Sequence, residues 1–445
     1  MASTSDLGAV FQLIPGVQSY DWGIKGANCR VAEFANATSQ LHFQPQQDKP
    51  YAELWMGTHT SMPSRIVPPT SPTSASESQD DFPTLSSYLA AKPELIGQSV
   101  ASKFSDEQPG CLPFLFKVLS VGKALSIQAH PDKQLGKKLH AERPNVYKDP
   151  NHKPEMAVAL TPFSGFCGFR PLDEIVEYLD KVPEFAALVN LSADELSKAK
   201  KLAASSDADE TEVKAVLKLI FGNLMRSSQD VYEAKADEIT QRFSSSSPEA
   251  LQVPQREREL LLKLSSEFPS DIGIFCTFLL NISSLSPGEA LFLQANEPHA
   301  YLEGEILECM ASSDNVVRAG LTPKLRDVET LVEMCTYQSG KGRGQMQAHT
   351  WSKASGSGKA LLYDPPIQEF SVAVCSIDTT AESQKHDAVQ GPSILLLLDG
   401  EAEVGHTAGS LRLQKGQLAF VGADTPVEIT AKSTPLRFAR AFVEA

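Results

Sequence analysis

Two stretches far apart in the chain follow one template. "PGEALFLQANEPHAY" begins at 287 and "KGQLAFVGADTPVEI" at 415. Aligned without gaps, Gly288 meets Gly416, Phe292 meets Phe420, Ala295 meets Ala423 and Pro298 meets Pro426. Each copy reads as a glycine turn, a short apolar strand and a proline turn, and the spacing between copies is 128 residues. A strand–turn unit used twice implies two β-sandwich units of one kind, and jelly rolls are expected. The copies part at one position, where His299 in the first is opposed by Val427 in the second. The fold does not need an imidazole where a hydrocarbon also serves, so the first copy is expected to use His299 for chemistry.

The remaining pattern surrounds these units with β structure and interrupts it once. Residues 1–170 alternate apolar and polar positions between turn residues. From about 172 to 268 the period becomes helical, as in Leu172, Ile175, Val176 and Leu179, in Val213, Val216, Leu217, Ile220 and Leu224, and in the run with Leu260, Leu261 and Leu264. The strand pattern resumes after 270. The expected fold is therefore mainly β with an α-helical insertion: two cupin-type jelly-roll units plus a helical domain. The expected boundaries are 1–170 for the N-terminal part of the cupin domain that carries the site, and 171–268 for the helical insertion. Residues 269–330 complete the site-bearing cupin, and 331–445 form a C-terminal cupin-like jelly roll without metal. The stretch "VPPTSPTSASESQDDFP" at 67–83 is Ser/Pro/Asp-rich and is expected to be a mobile loop.

Charge and cysteine usage narrow the partners. The net charge of −15 over 445 residues argues against nucleic acid or an anionic membrane as partner, since both reward basic patches. It leaves room for a small anion, because a few local cations outweigh a distant acidic surface. The start "MASTSDLGAVFQLIPG" lacks the basic and apolar regions of a signal peptide, and "ILLLL" at 394–398 is strand length, not the roughly 18 residues of a span. Seven scattered cysteines without a C-x-x-C pair, in contexts such as "FSVAVCSI", predict reduced core thiols and a cytoplasmic protein.

Candidate ligands come from polar residues on apolar strands. In "KALSIQAHPDKQLGKKLH", residues 123–140, Leu125, Ile127 and Ala129 share one strand face, while Ser126, Gln128 and His130 share the other up to the turn at Pro131. Such a face either satisfies a polar core or holds something. In "PNVYKDPNHKPEMAVAL", Glu155 opens an apolar strand, a costly place for a carboxylate unless it is paired or metal-bound. Gln128, His130, Glu155 and His299 together offer two nitrogens and two oxygens. That donor set suits one borderline divalent ion, such as zinc, in an open and exchangeable site.

Cations flank every one of these segments. Lys117 lies in "LPFLFKVL" on a face with Leu115 and Leu119, Lys133 follows "AHPD", Lys153 follows His152, and Arg318 and Lys324 lie in "NVVRAGLTPK". In so acidic a chain they suggest an anionic substrate such as a phosphate ester. Glu308, in "GEILECM", shares a face with Ile306 and Met310; it is either a base of raised pKa or one half of an ion pair.

"YDWGIKG", "SIQAHPDKQLG", "PNHKPEMAVAL" and "EPHAYLEGEILECMASSDNVVRAGLTPK" resemble the type I phosphomannose isomerase family from about Tyr20 to the C-terminal jelly roll, the fungal and animal enzymes most of all. The resemblance implies a zinc-dependent interconversion of mannose 6-phosphate and fructose 6-phosphate through a cis-enediol, feeding GDP-mannose synthesis and glycosylation. It implies one Zn2+ per chain on Gln128, His130, Glu155 and His299, with Arg318 as the catalytic arginine. The 67–83 loop is longer than the family pattern needs. For the base, Glu308 is preferred with Lys153 as rival. Lys117, Ser126, Lys133 and Lys324 are expected to hold substrate or phosphate, with Trp22 and Tyr301 as the sugar-facing wall. The expected partner is a small phosphorylated sugar, and the expected state a monomer. Two other classes share the ligand types: an iron(II) oxygenase built on a two-histidine, one-carboxylate triad, and a non-catalytic sugar-phosphate-binding cupin.

Overall fold

The strands of the repeated template coincide in the two copies. In the first, Ala290–Leu293 is followed by His299–Ala311; in the second, Leu418–Val421 is followed by Val427–Ala431. Gly288 and Gly416 enter these strands with φ of 88° and 84°, a left-handed conformation that costs glycine little. Asn296 and Asp424 leave them with φ of 62° and 55°, which short polar side chains tolerate. One turn chemistry builds both units. The computed structural model describes residues 7–67, 82–245, 248 and 250–444; most of the 67–83 stretch lies outside the described residues.

The second unit closes between an eight-stranded sheet and a five-stranded sheet, with Leu395, Leu397, Ala419 and Phe438 in the core between them. The first unit is built on His299–Ala311, which bends through both of its layers. Its later half lies between Phe114–Val121 and Glu155–Ala159, and its start pairs with Phe163–Phe169 and Ile127–Ala129. Period-2 alternation then sorts the side chains. Met156, Val158, Leu307 and Cys309 point to a core shared with Ile394, Leu396 and Phe420 of the second unit, so the two rolls pack sheet against sheet. Glu155 and Glu308 point the other way, into the first roll. Helices from Leu172–Lys181 to Gln255–Glu267 bury Ile175, Leu217, Ile220 and Leu264 against the outer layer, including Ile127 and Val317.

Strand pairing links the two units. Val10–Ile14 pairs antiparallel with Leu418–Val421 in the eight-stranded sheet. Val328–Met334 packs Leu331 and Val332 into the helical core, and Gln345–Met346 adds to Ala290–Leu293. Alternation reveals that a segment is a strand but not which distant strand it joins. Leu13 is fully buried, so Leu13→Ala is expected to cost about 2–5 kcal/mol and to lower Tm measurably. An unchanged Tm would deny this strand its structural role.

Strand pairing also shows what replaced the site in the second roll. Glu155 opens its strand opposite Met310, and Ser393 opens the matching strand opposite Phe442. By the same register Arg440 stands where Glu308 stands in the first roll, and Val427 where His299 stands. Arg440 is completely buried, its Nε donates to Ser393 Oγ at 2.9 Å, and its guanidinium lies 5.8 Å from the Trp351 ring centre. The second interior is filled by an arginine.

Candidate metal centre

The centre begins with a short strand and a stitched turn. Ile127–Ala129 ends because Pro131 follows His130, and Asp132 caps the helix Lys133–Glu142 by accepting from Leu135 N at 2.9 Å. Asn296 donates from Nδ2 to Asp132 Oδ2 at 2.8 Å and from its backbone N to the His130 carbonyl at 2.7 Å. The turn after His130 is thus tied to the left-handed turn before His299. In register, His299 lies directly opposite Gln128, and Arg318 lies opposite Gln128 on its other side.

Both imidazoles present a bare nitrogen to one carboxylate. His130 Nδ1 lies 2.6 Å from the Asn315 carbonyl and His299 Nδ1 lies 3.0 Å from the Glu297 carbonyl. A carbonyl only accepts, so each Nδ1 carries the hydrogen and each Nε2 keeps its lone pair. Those Nε2 atoms are buried without a hydrogen-bond partner and lie 3.3 Å and 3.4 Å from the two oxygens of Glu155. Burial pushes the His130 pKa down to about 4, so its ring is neutral at pH 7. Burial works against the Glu155 carboxylate, but Lys153 and the histidines outweigh it and hold its pKa well below the ordinary range.

Lone pairs turned toward a carboxylate repel it unless a cation stands between them. The spacings match the edge of a tetrahedron with metal–ligand bonds of about 2.0–2.1 Å, which is about 3.3 Å. His130, Glu155 and His299 form the one group of three or more His, Cys, Asp or Glu, among the described residues, that could hold a metal ion. The donors fit zinc. Gln128 is half-buried, pairs in register with His299 and lines the adjacent cavity.

Glu155 and Gln128 line a cavity of about 650 Å³, which also takes in Trp22, Ser126, Tyr301, Arg318 and Lys324, while the two imidazoles lie buried behind Glu155. Tyr301 Oη donates to Glu155 Oε2 at 3.5 Å, and Lys153 Nζ lies 3.1 Å from Glu155 Oε1. Burial raises the Glu308 pKa; Lys117 opposes that rise, and Glu155 and Glu53 reinforce it. Lys117 Nζ is 3.1 Å away as an ion-pair partner. Arg318 is half-buried in the cavity lining, burial lowers its pKa, and among the described residues no carboxylate forms an ion pair with it.

Two of the expected phosphate holders, Lys133 and Lys117, sit in different surroundings. Lys133 is exposed at the start of its helix, outside the cavity lining, with Glu107 among the acidic groups it faces. Lys117 borders the cavity, but its ammonium is held by Glu308 at 3.1 Å and Glu53 at 3.4 Å, and lies 4.8 Å from the Trp55 ring centre. That environment balances the charge of Glu308. The sequence reading also missed Glu53 and Trp55, His59 and Asp314, and Phe268. Glu53 and Trp55 share one face of Glu53–Met56, so a carboxylate on a strand face was visible there, as it was for Glu155. His59 pairs with Asp314 at 3.4 Å from a different loop, and Phe268 ends the helical insertion. No local pattern announces either.

Comparison with known proteins gives this geometry a family. Profiles described as phosphomannose isomerase type I match in three parts: the catalytic domain over residues 10–172, the helical insertion domain over 187–280 and the C-terminal part over 360–407. The mannose-6-phosphate isomerase of Cryptococcus neoformans var. neoformans is 45% identical, with 98% of this chain and 99% of that one aligned.

The chain belongs to the type I phosphomannose isomerase family.

The Saccharomyces cerevisiae mannose-6-phosphate isomerase is 42% identical over 98% of this chain and 99% of its own. Among solved structures, the Salmonella typhimurium mannose 6-phosphate isomerase with substrate fructose 6-phosphate and zinc bound is 30% identical. It covers 98% of this chain and 100% of its own, with a TM-score of 0.75. A zinc-bound holo form of mannose 6-phosphate isomerase gives the same identity, coverage and TM-score. The iron(II) oxygenase and non-catalytic cupin readings give way to the isomerase family. No helix among this chain's described residues is long and apolar enough to cross a membrane, and its seven cysteines are free.

Proposed function

We propose that this phosphomannose isomerase interconverts mannose 6-phosphate and fructose 6-phosphate with one zinc ion per chain, held by Gln128, His130, Glu155 and His299. One observation carries the reading: two bare, buried imidazole nitrogens converge on a carboxylate, Glu155, that lines a cavity together with Glu308, Lys153 and Arg318. Bound zinc supplies a positive field that favours developing negative charge on the sugar oxygens.

The remaining chemistry belongs to the chain. Glu308, raised by burial yet kept in reach of the Lys117 ammonium, is suited to take the C2 proton of the aldose and return it to C1. Lys153 is its rival for that proton. The hydrogen of the C2 hydroxyl leaves and the C1 carbonyl oxygen gains one, so the cis-enediol becomes the ketose with no net change in protons. Arg318 lines the cavity and stabilises the oxyanion as charge builds. Lys324, exposed at the mouth, and Ser126 hold the phosphorylated substrate, with Trp22 and Tyr301 as walls. Free cysteines and the acidic chain support a cytoplasmic monomer, whose product would feed GDP-mannose synthesis.

The test is an isomerase assay on mannose 6-phosphate, before and after chelation and with zinc restored. Turnover is expected to vanish on chelation and to return with about one zinc per chain. Undiminished turnover by metal-free protein would overturn the zinc requirement, and tight substrate binding without turnover would overturn the isomerase. Free mannose is expected to be poor in kcat as well as KM, since remote phosphate contacts orient the sugar for reaction.

A further inference from the structure

Lys153 enters the cavity from a stretch with no strand to hold it. Residues 151–154 form neither helix nor ladder, and the strand begins at Glu155. Side chains fix their position instead. On one side, Asn151 Nδ2 donates to the Ser312 carbonyl at 3.1 Å, and the Asn151 carbonyl accepts from Asn315 Nδ2 at 2.9 Å. Asp149 accepts from Ser313 Oγ and from Asp314 N, each at 2.8 Å. This knot contains the Asn315 carbonyl that accepts from His130 Nδ1.

The other side is held from the second jelly roll. His152 Nε2 lies 2.5 Å from Glu369 Oε1. Glu369 sits in the connection between Lys359–Tyr363 and Ser371–Ile377, 7% exposed, with His152 as its one ion-pair partner among the described residues. Its neighbours Ile367 and Phe370 pack into the core between the rolls, so the carboxylate is presented from a fixed loop. In an extended chain adjacent side chains point to opposite sides. Drawing His152 toward Glu369 therefore turns Lys153 toward the cavity, where its Nζ meets Glu155 Oε1 at 3.1 Å.

We propose that Glu369 is a positioning residue for the isomerisation: through His152, the C-terminal jelly roll sets the place of Lys153. This rests on the reading above that Lys153 acts on the substrate. A buried carboxylate with one ion-pair partner is costly to keep, even with the Gln368 backbone N–H donating to its Oε2 at 3.1 Å, and its placement here links the second roll to the reacting end of the first. The register of the rolls is thereby part of the site.

The test compares Glu369→Ala, Glu369→Gln, Lys153→Met and the double variant Glu369→Ala/Lys153→Met. Glu369→Ala is expected to lower kcat about tenfold, with KM for mannose 6-phosphate, zinc content and Tm close to the parent. Glu369→Gln keeps an oxygen for His152 and is expected to recover most of the activity. In the Lys153→Met background, Glu369→Ala should lower kcat no further, because the two residues act as one unit. Losses that multiply in the double variant would overturn the proposal. So would a fall in kcat that merely follows lost zinc or lost Tm. Full activity of Glu369→Ala beside an impaired Lys153→Met overturns the proposal alone, whereas full activity of Lys153→Met overturns the reading of Lys153 beneath it.

Discussion

Replacing His299 by alanine or valine is expected to remove zinc and turnover together, with kcat/KM falling by about 10³-fold or more, since a catalytic metal contributes several kcal/mol. The loss should be local. Val427 occupies the matching position in the second roll, buried and in register with His386, so this backbone accepts a hydrocarbon there. In the first roll the imidazole contributes a lone pair rather than packing: Nδ1 is spent on the Glu297 carbonyl and Nε2 faces Glu155. Losing one of three close ligands leaves Glu155 and His130 too few to retain the ion. Elemental analysis, thermal unfolding and the isomerase assay on one preparation separate the possibilities. Zinc absent with Tm kept is the expected result; full zinc in the variant would show that His299 is not a ligand.

Arg318→Ala is expected to lower kcat by roughly 10²-fold with little change in KM, the scale of losing one oxyanion donor. Arg318 is paired in register with Gln128, which lies opposite His299, so its position beside the proposed metal is set by two neighbouring ladders. It lies in the cavity lining, and among the described residues no carboxylate forms an ion pair with it. Such a group interacts most strongly with charge that appears during reaction, which moves kcat rather than KM. Lys324 is exposed at the mouth, and Lys324→Ala should instead raise KM for the phosphorylated sugar. A change confined to KM in Arg318→Ala would make the arginine a phosphate clamp and leave the reacting oxygens to other groups.

Much of the site could be read before the fold because its residues break local rules. Glu155 and Glu308 are polar groups on strand faces that are otherwise apolar, His130 ends a strand face made wholly of polar residues, and His299 stands out against Val427 in a repeated template. What could not be read was which polar groups meet. Lys117 and Lys133 look alike in sequence, yet one lies in a strand between two carboxylates and the other opens an exposed helix. Glu53 and Trp55 went unnoticed because their partner Lys117 lies more than sixty residues on in the chain. Glu369 was invisible for a stronger reason, since its partner His152 belongs to the other roll.

Local chemistry therefore determined the units: glycine and asparagine turns, period-2 strands, a helical block, and the residues able to bind a divalent ion. These are properties of neighbours along the chain, governed by backbone sterics and by which face of an element is apolar. Tertiary structure decided the assembly. It placed Val10–Ile14 in the C-terminal sheet, set His299 opposite Gln128, filled the second roll with Arg440, and brought Glu369 to the loop that carries Lys153. Strand partners are chosen by packing and register across hundreds of residues, and a shift of one residue would turn every side chain to the other face. The sites that depend on that choice are fixed only when the two rolls close on each other.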